Sequence, residues 1–171
     1  AGFAEKVEAE WAYIKDSPTR LTREEIDRVK TFFTEPDYQS LENEPSALVS
    51  ARGESKAFDN WVKRNVDSHK QPGYSIVTLT LKKTGVPPGD VSDKQLEQIA
   101  DLADQYSFGE VRVTHQQNVV LADVRQDQLF ELWKTIVPMD FGTANLNTLT
   151  DIICCPGGDY CALANAKSIP I

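Results

Sequence analysis

Basic residues and long apolar runs are both scarce in this sequence. Its 18 lysines and arginines are outnumbered by 26 aspartates and glutamates, which gives a formal net charge of −8. Nucleic acids and anionic membranes are bound by clustered Lys and Arg side chains, so this charge balance excludes both as expected partners. No apolar run approaches the roughly 18 residues of a membrane-spanning helix, and the N-terminus lacks the basic and then apolar layout of a secretion signal. We therefore expect a cytoplasmic protein.

Cysteine is also rare, and its few copies are clustered. The three cysteines, Cys154, Cys155 and Cys161, lie close together near the C-terminus. A secreted disulfide framework would instead spread an even number of cysteines along the chain. The sequence therefore argues against disulfide cross-linking and favours metal chemistry.

Cys155 and Cys161 flank the sequence Pro-Gly-Gly-Asp-Tyr. Glycine-rich loops suit iron–sulfur clusters, because backbone N–H groups then approach the sulfides without side chains intruding. Spacing alone leaves two alternatives open: buried, chemically inert cysteines, the role we expect for Cys154, and a zinc-ribbon half-site, which five intervening residues disfavour. A cubane cluster takes four thiolates, so we expect the isolated chain to bind no cluster.

Helical periodicity dominates the first third of the chain. We predict one helix that ends at Ser17-Pro18 and a second over 22–33, opened by a capping box of Thr22 and Glu25. Apolar residues three or four apart predict one buried stripe on each helix: Phe3, Val7, Trp11 and Ile14, then Ile26, Val29, Phe32 and Phe33. Residues 34–55 mix proline, glycine and asparagine with little periodicity and predict a linker or long loop.

A β-α-β-β-α order follows this helical part. Three segments with β-branched or aromatic alternation are predicted strands: 74–81, 110–114 and 118–122. A capping box of Ser92 and Gln95 opens one helix, and Pro138 closes another. The fold class is therefore α+β, a ferredoxin-like half-domain with an antiparallel sheet and helices on one face. We predict three parts: a helical segment and linker at 1–69, the half-domain at 70–138 and the cysteine-bearing remainder at 139–171.

Four polar residues in the half-domain resemble a family signature. Arg112, Thr114, Gln117 and Asn118 occupy every marked position of Arg-x-Thr-x-x-Gln-Asn, the signature of sulfite and nitrite reductases. The cysteines are similar too, because those enzymes carry a first pair separated by five residues and followed by Leu-Ala, as here. The resemblance covers roughly residues 70–168.

The resemblance implies a reaction and its cofactors. Members reduce sulfite to sulfide, or nitrite to ammonia, in six electrons at a siroheme coupled to a [4Fe–4S] cluster, with ferredoxin or a flavoprotein reductase as donor. The implied siroheme residues are Arg112, Thr114, Gln117 and Asn118, and the implied cluster ligands are Cys155 and Cys161. Arg112 would pair with a carboxylate of the macrocycle or with the bound anion.

The sequence also departs from the family pattern. The second cysteine pair, the first half-domain and the active-site lysines are missing, so residues 139–171 resemble the truncated start of a siroheme and [4Fe–4S] domain. No catalytic residue is assigned, and we expect the fragment alone to be inactive and to hold neither cofactor. The alternative is an independent ferredoxin-like interaction or regulatory module with redox-sensing thiols.

Overall fold

A computed structural model describes residues 2–18 and 20–170. These residues form two compact units that divide between Asp37 and Tyr38. The elements in chain order are α1 (Phe3–Ile14), α2 (Arg23–Lys30), α3 (Ser46–Glu54), α4 (Lys56–Asn65), β1 (Val66–Ser68), β2 (Tyr74–Leu79), α5 (Asp93–Tyr106), β3 (Val111–Val113), β4 (Val119–Arg125), α6 (Leu129–Ile136) and α7 (Gly157–Tyr160). Among the described residues, no helix has the length and apolar character to cross a bilayer.

The first unit holds the two predicted helices. The Thr22 side chain accepts a hydrogen bond from the Glu25 N–H at 3.1 Å, which is one half of the predicted capping box, while the Glu25 carboxylate accepts from Arg28 at 2.7 Å. The predicted burial of their apolar stripes is wrong: Phe3 is 82% exposed and Phe33 is 80% exposed. No residue of α1 or α2 is buried, because two short helices do not supply a core of their own.

The predicted linker over 34–55 is wrong in its second half. Helix α3 occupies Ser46–Glu54 and buries Leu48 and Ala51, three positions apart. Pro45, which the sequence analysis took as a sign of a loop, directly precedes the helix. Its carbonyl accepts hydrogen bonds from the N–H groups of Leu48 and Val49. Proline is compatible with a helix start because the first N–H groups have no intrahelical acceptor.

A four-stranded antiparallel sheet organises the second unit, in the order β1-β2-β4-β3. Leu121 of β4 is paired with Val77 of β2 on one side and with Val111 of β3 on the other. The α+β class and the antiparallel sheet are confirmed, although strand β1 was not predicted. Helix α5 opens with the predicted Ser92–Gln95 capping box.

The core of the second unit lies between the sheet and the helices. Strand residues Val77, Leu79 and Leu121 are fully buried, and they join Phe58 and Trp61 of α4 in one cluster. Strand β3 lies at the sheet edge, and all three of its residues are exposed. The connection from β3 to β4 is therefore presented at one end of the sheet, next to the residues that follow α6.

Candidate functional site

The turn between β3 and β4, residues 114–118, carries most of the signature and is here called the signature turn. The Thr114 N–H donates to the Asn118 carbonyl at 2.9 Å, and the Thr114 hydroxyl accepts from the Asn118 N–H at 3.1 Å. Gln117 has a φ of 60°, a left-handed value that is uncommon for a residue other than glycine. Thr114 thus closes a tight turn that fixes where the Gln117 side chain points.

The Gln117 side chain binds the backbone of residues 151–155, here called the cysteine segment. Its Nε2 donates to the Cys154 carbonyl at 2.6 Å, and its Oε1 accepts from the Cys154 N–H at 3.0 Å. One amide side chain therefore replaces both partners that a neighbouring strand would supply to Cys154. The signature residue Gln117 thus binds the residue that directly precedes the Cys155–Cys161 motif, 37 positions along the chain.

Asn118 is buried and connects the signature turn to the end of the β2 segment and to Asp151. Its Oδ1 accepts from the Leu81 N–H at 3.0 Å, and its Nδ2 donates to Asp151 Oδ1 at 2.9 Å. Lys82 Nζ lies 3.3 Å from the same Asp151 oxygen and donates to the Gln116 carbonyl at 2.6 Å. A buried charge is costly unless it is paired, and the buried charges of Lys82 and Asp151 pair with each other.

The loop from Cys155 to Cys161, here the cysteine loop, packs against residues 166–168. The Gly158 N–H donates to the Ala166 carbonyl at 2.8 Å, and the Cys161 N–H donates to the Gly157 carbonyl at 2.9 Å. Gly157 has a φ of +57°, and a Cβ there would lie 2.6 Å from the Ser168 nitrogen. Only glycine fits this position, as a loop with closely approaching backbone requires.

The Cys155 thiol is exposed and lies in a polar setting. Its Sγ is 3.1 Å from the Ser168 hydroxyl oxygen. The Ser168 hydroxyl and then the Gly157 N–H lower the pKa of the Cys155 thiol, since both stabilise the thiolate. The thiolate is the form that binds metal, so Cys155 has the chemistry of a ligand.

A pocket of about 340 Å³ lies between the signature turn and the cysteine loop. Gln117, Cys154 and Cys155 line one part of it, and Pro87, Pro88 and Tyr160 line another. A concavity of this kind, with a few convergent polar groups, is the usual form of a binding site.

The predicted site residues are not all brought to this pocket. Among the described lining residues, Gln117 and Cys155 are present, whereas Arg112, Thr114, Asn118 and Cys161 are not. Arg112 is exposed on the edge strand, where Glu110 binds its Nε and raises the pKa of the guanidinium. Asn118 and Thr114 are occupied in holding the turn and its neighbours.

Cys155 and Cys161 could supply two of the four thiolates that a cubane cluster takes. The loop between them packs on the chain itself, since a Cβ at Gly157 would meet the Ser168 nitrogen at 2.6 Å and the Gly158 N–H already donates to the Ala166 carbonyl. Within residues 2–18 and 20–170, no group of three or more His, Cys, Asp or Glu side chains is placed to hold a metal ion. The residues present therefore suit two ligand positions.

Two buried polar groups escaped the sequence reading. Lys82 follows an alternating strand and Asp151 lies in an irregular segment, so neither carried a pattern that marked it as buried. The His69 side chain is also largely buried, and its Nε2 lies 3.2 Å from Asp123 Oδ1.

Known proteins resemble this chain over the region that holds the sheet and the signature turn. The family model for the nitrite/sulfite reductase ferredoxin-like half domain matches residues 69–138. A chloroplastic ferredoxin–nitrite reductase of Oryza sativa is 31% identical over 120 residues, which cover 68% of this chain and 19% of that protein. The ferredoxin–nitrite reductase of Synechococcus elongatus is 33% identical over 108 residues, which cover 61% of this chain and 20% of that protein. The chain thus spans about a fifth of the length of the curated relatives it matches.

Proposed function

Because this chain belongs to the nitrite and sulfite reductase family through its ferredoxin-like half domain, we propose that it forms part of a siroheme- and [4Fe–4S]-dependent reductase. Nitrite is the proposed substrate, reduced to ammonia, and ferredoxin is the proposed electron donor, since the relatives are ferredoxin–nitrite reductases. Sulfite reduction to sulfide is the second reaction that the family carries out. The proposed parts are the segment at 1–69, whose α4 and β1 pack and pair with the half-domain, the half-domain at 70–138 and the start of the cofactor domain at 139–171.

The observation that carries this proposal is the contact between the two motifs. Gln117 of the signature binds Cys154 through both atoms of its amide, and Gln117 and Cys155 line one pocket. This contact brings the signature and the start of the cysteine loop to one concave surface. Their meeting is what a cofactor shared between them requires.

Cys155 and Cys161 are the proposed cluster ligands in this chain. Cys155 is suited to the role because its thiol is exposed and its pKa is lowered by Ser168 and Gly157. The bound cluster and siroheme would supply one-electron transfer and a metal that binds the anion. Since a cubane takes four thiolates, we propose that its other ligands come from outside these 171 residues and that this chain alone performs no turnover.

Arg112 is the proposed contact to an anionic group. Its guanidinium is exposed on the edge strand and pairs with the Glu110 carboxylate. A carboxylate of siroheme or the substrate anion would compete with Glu110 for the same planar donor set. Thr114 and Asn118 would act on the siroheme side through the turn that they close.

Turnover by the full-length gene product tests this proposal. We expect siroheme absorbance and ammonia production from nitrite with reduced ferredoxin, at a rate above that of sulfide production from sulfite. Arg112→Gln should raise the KM for the anion or lower the siroheme content, while Arg125→Gln, which removes an arginine paired with Asp127, should not. Full-length protein without siroheme and without either reaction would contradict the proposal.

A redox-sensing module is the second candidate. The exposed Cys155 thiol, with its pKa lowered by Ser168 and Gly157, is the kind of thiol that oxidants attack. Such a module predicts full-length protein without iron, in which mild peroxide oxidises Cys155 and a thiol reductant restores it. A reductase predicts iron-containing protein whose Cys155 resists alkylation until the iron is removed.

A further inference from the structure

The backbone just before Cys155 is fastened by a side chain from another part of the fold. Gln117 forms two hydrogen bonds with Cys154, at 2.6 and 3.0 Å, and thereby fixes both the carbonyl and the N–H of that residue. The Cys154 carbonyl carbon begins the peptide bond to Cys155. The position of the Cys155 Cα is therefore set by Gln117 more directly than by any regular secondary structure, since neither cysteine lies in a helix or strand.

The signature turn that carries Gln117 is itself held in place. Gly89 lies against it so closely that a Cβ at residue 89 would be 2.9 Å from the Gln117 Cβ. The Gly89 N–H donates to the Leu81 carbonyl at 2.9 Å, which ties this loop to the end of strand β2. Gln117 is thus pressed between a fixed loop and the cysteine segment.

A second attachment lies three residues before Cys154. Asp151 accepts from Asn118 Nδ2 at 2.9 Å and pairs with Lys82 Nζ at 3.3 Å, and both partners are buried. The cysteine segment is consequently held at 151 and again at 154, so it cannot slide along the signature turn. Both attachments therefore lie just before Cys155.

We propose that Gln117 is a positioning residue for the Cys155 thiolate: its amide fixes the Cys154 peptide group and so sets where Cys155 presents its sulfur. This inference rests on the proposed function for the identity of the metal, but not for the contact itself. It gives the signature glutamine a role toward the cluster ligand in addition to any contact with siroheme.

Two variants of Gln117 separate its two hydrogen bonds. Gln117→Met has nearly the same length and retains neither bond, whereas Gln117→Glu retains an acceptor for the Cys154 N–H and loses the donor. Gln116→Met, in the same turn, is the matched control. The two Gln117 variants keep an unbranched side chain at the residue whose φ is 60°, and thermal unfolding of all three variants shows whether the fold is intact.

Amide hydrogen exchange of the full chain reads the proposed positioning directly. In Gln117→Met the Cys154 amide should exchange about five- to tenfold faster, the value expected for one lost hydrogen bond. The effect should extend beyond Cys155 to the Gly158 and Cys161 amides, which donate to Ala166 and Gly157. Gln117→Glu should restore protection at Cys154, and Gln116→Met should leave all three amides unchanged.

Titration with Cd²⁺ alone, followed by the thiolate-to-metal charge-transfer band, gives the second readout. Gln117→Met should weaken Cd²⁺ binding about tenfold, Gln117→Glu less, and Gln116→Met not at all. Unchanged exchange at Gly158 and Cys161 in folded Gln117→Met would overturn the positioning role. Absence of the band in the unmutated chain would instead count against Cys155 and Cys161 as a ligand pair, and exchange would still decide the role of Gln117.

Discussion

Replacing Lys82 by methionine should destabilise the second unit strongly. The Lys82 and Asp151 side chains are only 2% and 3% exposed, and Lys82 Nζ also donates to the carbonyls of Gln116 and Ile152. Removing one partner of a buried ion pair leaves the other charge uncompensated and costs about 3–5 kcal/mol. Asp151 keeps donors from Asn118 at 2.9 Å and from the Asn147 N–H at 3.0 Å, so we expect the lower end, about 3 kcal/mol.

Urea unfolding of the full chain measures this loss. With a slope of about 2 kcal/mol per molar urea, the midpoint should fall by about 1.5 M. Lys83→Met is the matched control, because Lys83 pairs with Asp140 at 2.6 Å on the surface, and exposed pairs contribute about 1 kcal/mol or less. A Lys82→Met midpoint that falls no further than that of Lys83→Met would refute the buried pair as the link between strand end and cysteine segment.

Three further predictions concern the cysteine loop and the core. Ser168→Ala should raise the pKa of the Cys155 thiol, because the hydroxyl that most favours the thiolate is lost, and the alkylation rate of Cys155 should reach half its maximum at a higher pH than in the unmutated chain. Gly157→Ala should destabilise the loop, seen as faster exchange of the Gly158 amide, because its Cβ would meet the Ser168 nitrogen at 2.6 Å; exchange as slow as in the unmutated chain would contradict this. Leu121→Ala should lower the free energy of unfolding in urea by about 2–5 kcal/mol, because Leu121 is fully buried. Val113→Ala, at an 86% exposed position, should lower it by about 0.5 kcal/mol or less, and equal losses in the two variants would contradict this account of the core.

The parts of the fold that local signals specify were predictable from sequence. The Ser92–Gln95 capping box marks the start of α5, and β-branched alternation marks β2, although both faces of that strand are largely buried, Thr78 as well as Val77. Helix α3 was missed because Pro45 and Gly53 resemble a loop when only composition is read. Strand β1 is three residues long and exists through its pairing with β2, which no local pattern announces.

The candidate site was predictable only as two separate motifs. The signature and the cysteine loop are visible in the sequence, whereas the amide contact from Gln117 to Cys154 depends on how the chain returns past the signature turn. Lys82 and Asp151 were invisible for a related reason, since a buried ion pair is a property of the pair in space. The exposed stripes of α1 and α2 show the same limit, because periodicity predicts a helix but not what covers it.

Iron and acid-labile sulfide in the purified full-length gene product, compared between Cys155→Ser and Cys154→Ser, test the proposed cluster most directly. The two cysteines are adjacent, and Ser168 and Gly157 lower the pKa of the Cys155 thiol. We expect Cys154→Ser to keep about four irons and four sulfides per chain in the cluster and Cys155→Ser to lose them. Equal iron and sulfide in both variants would contradict the assignment of Cys155 as a ligand.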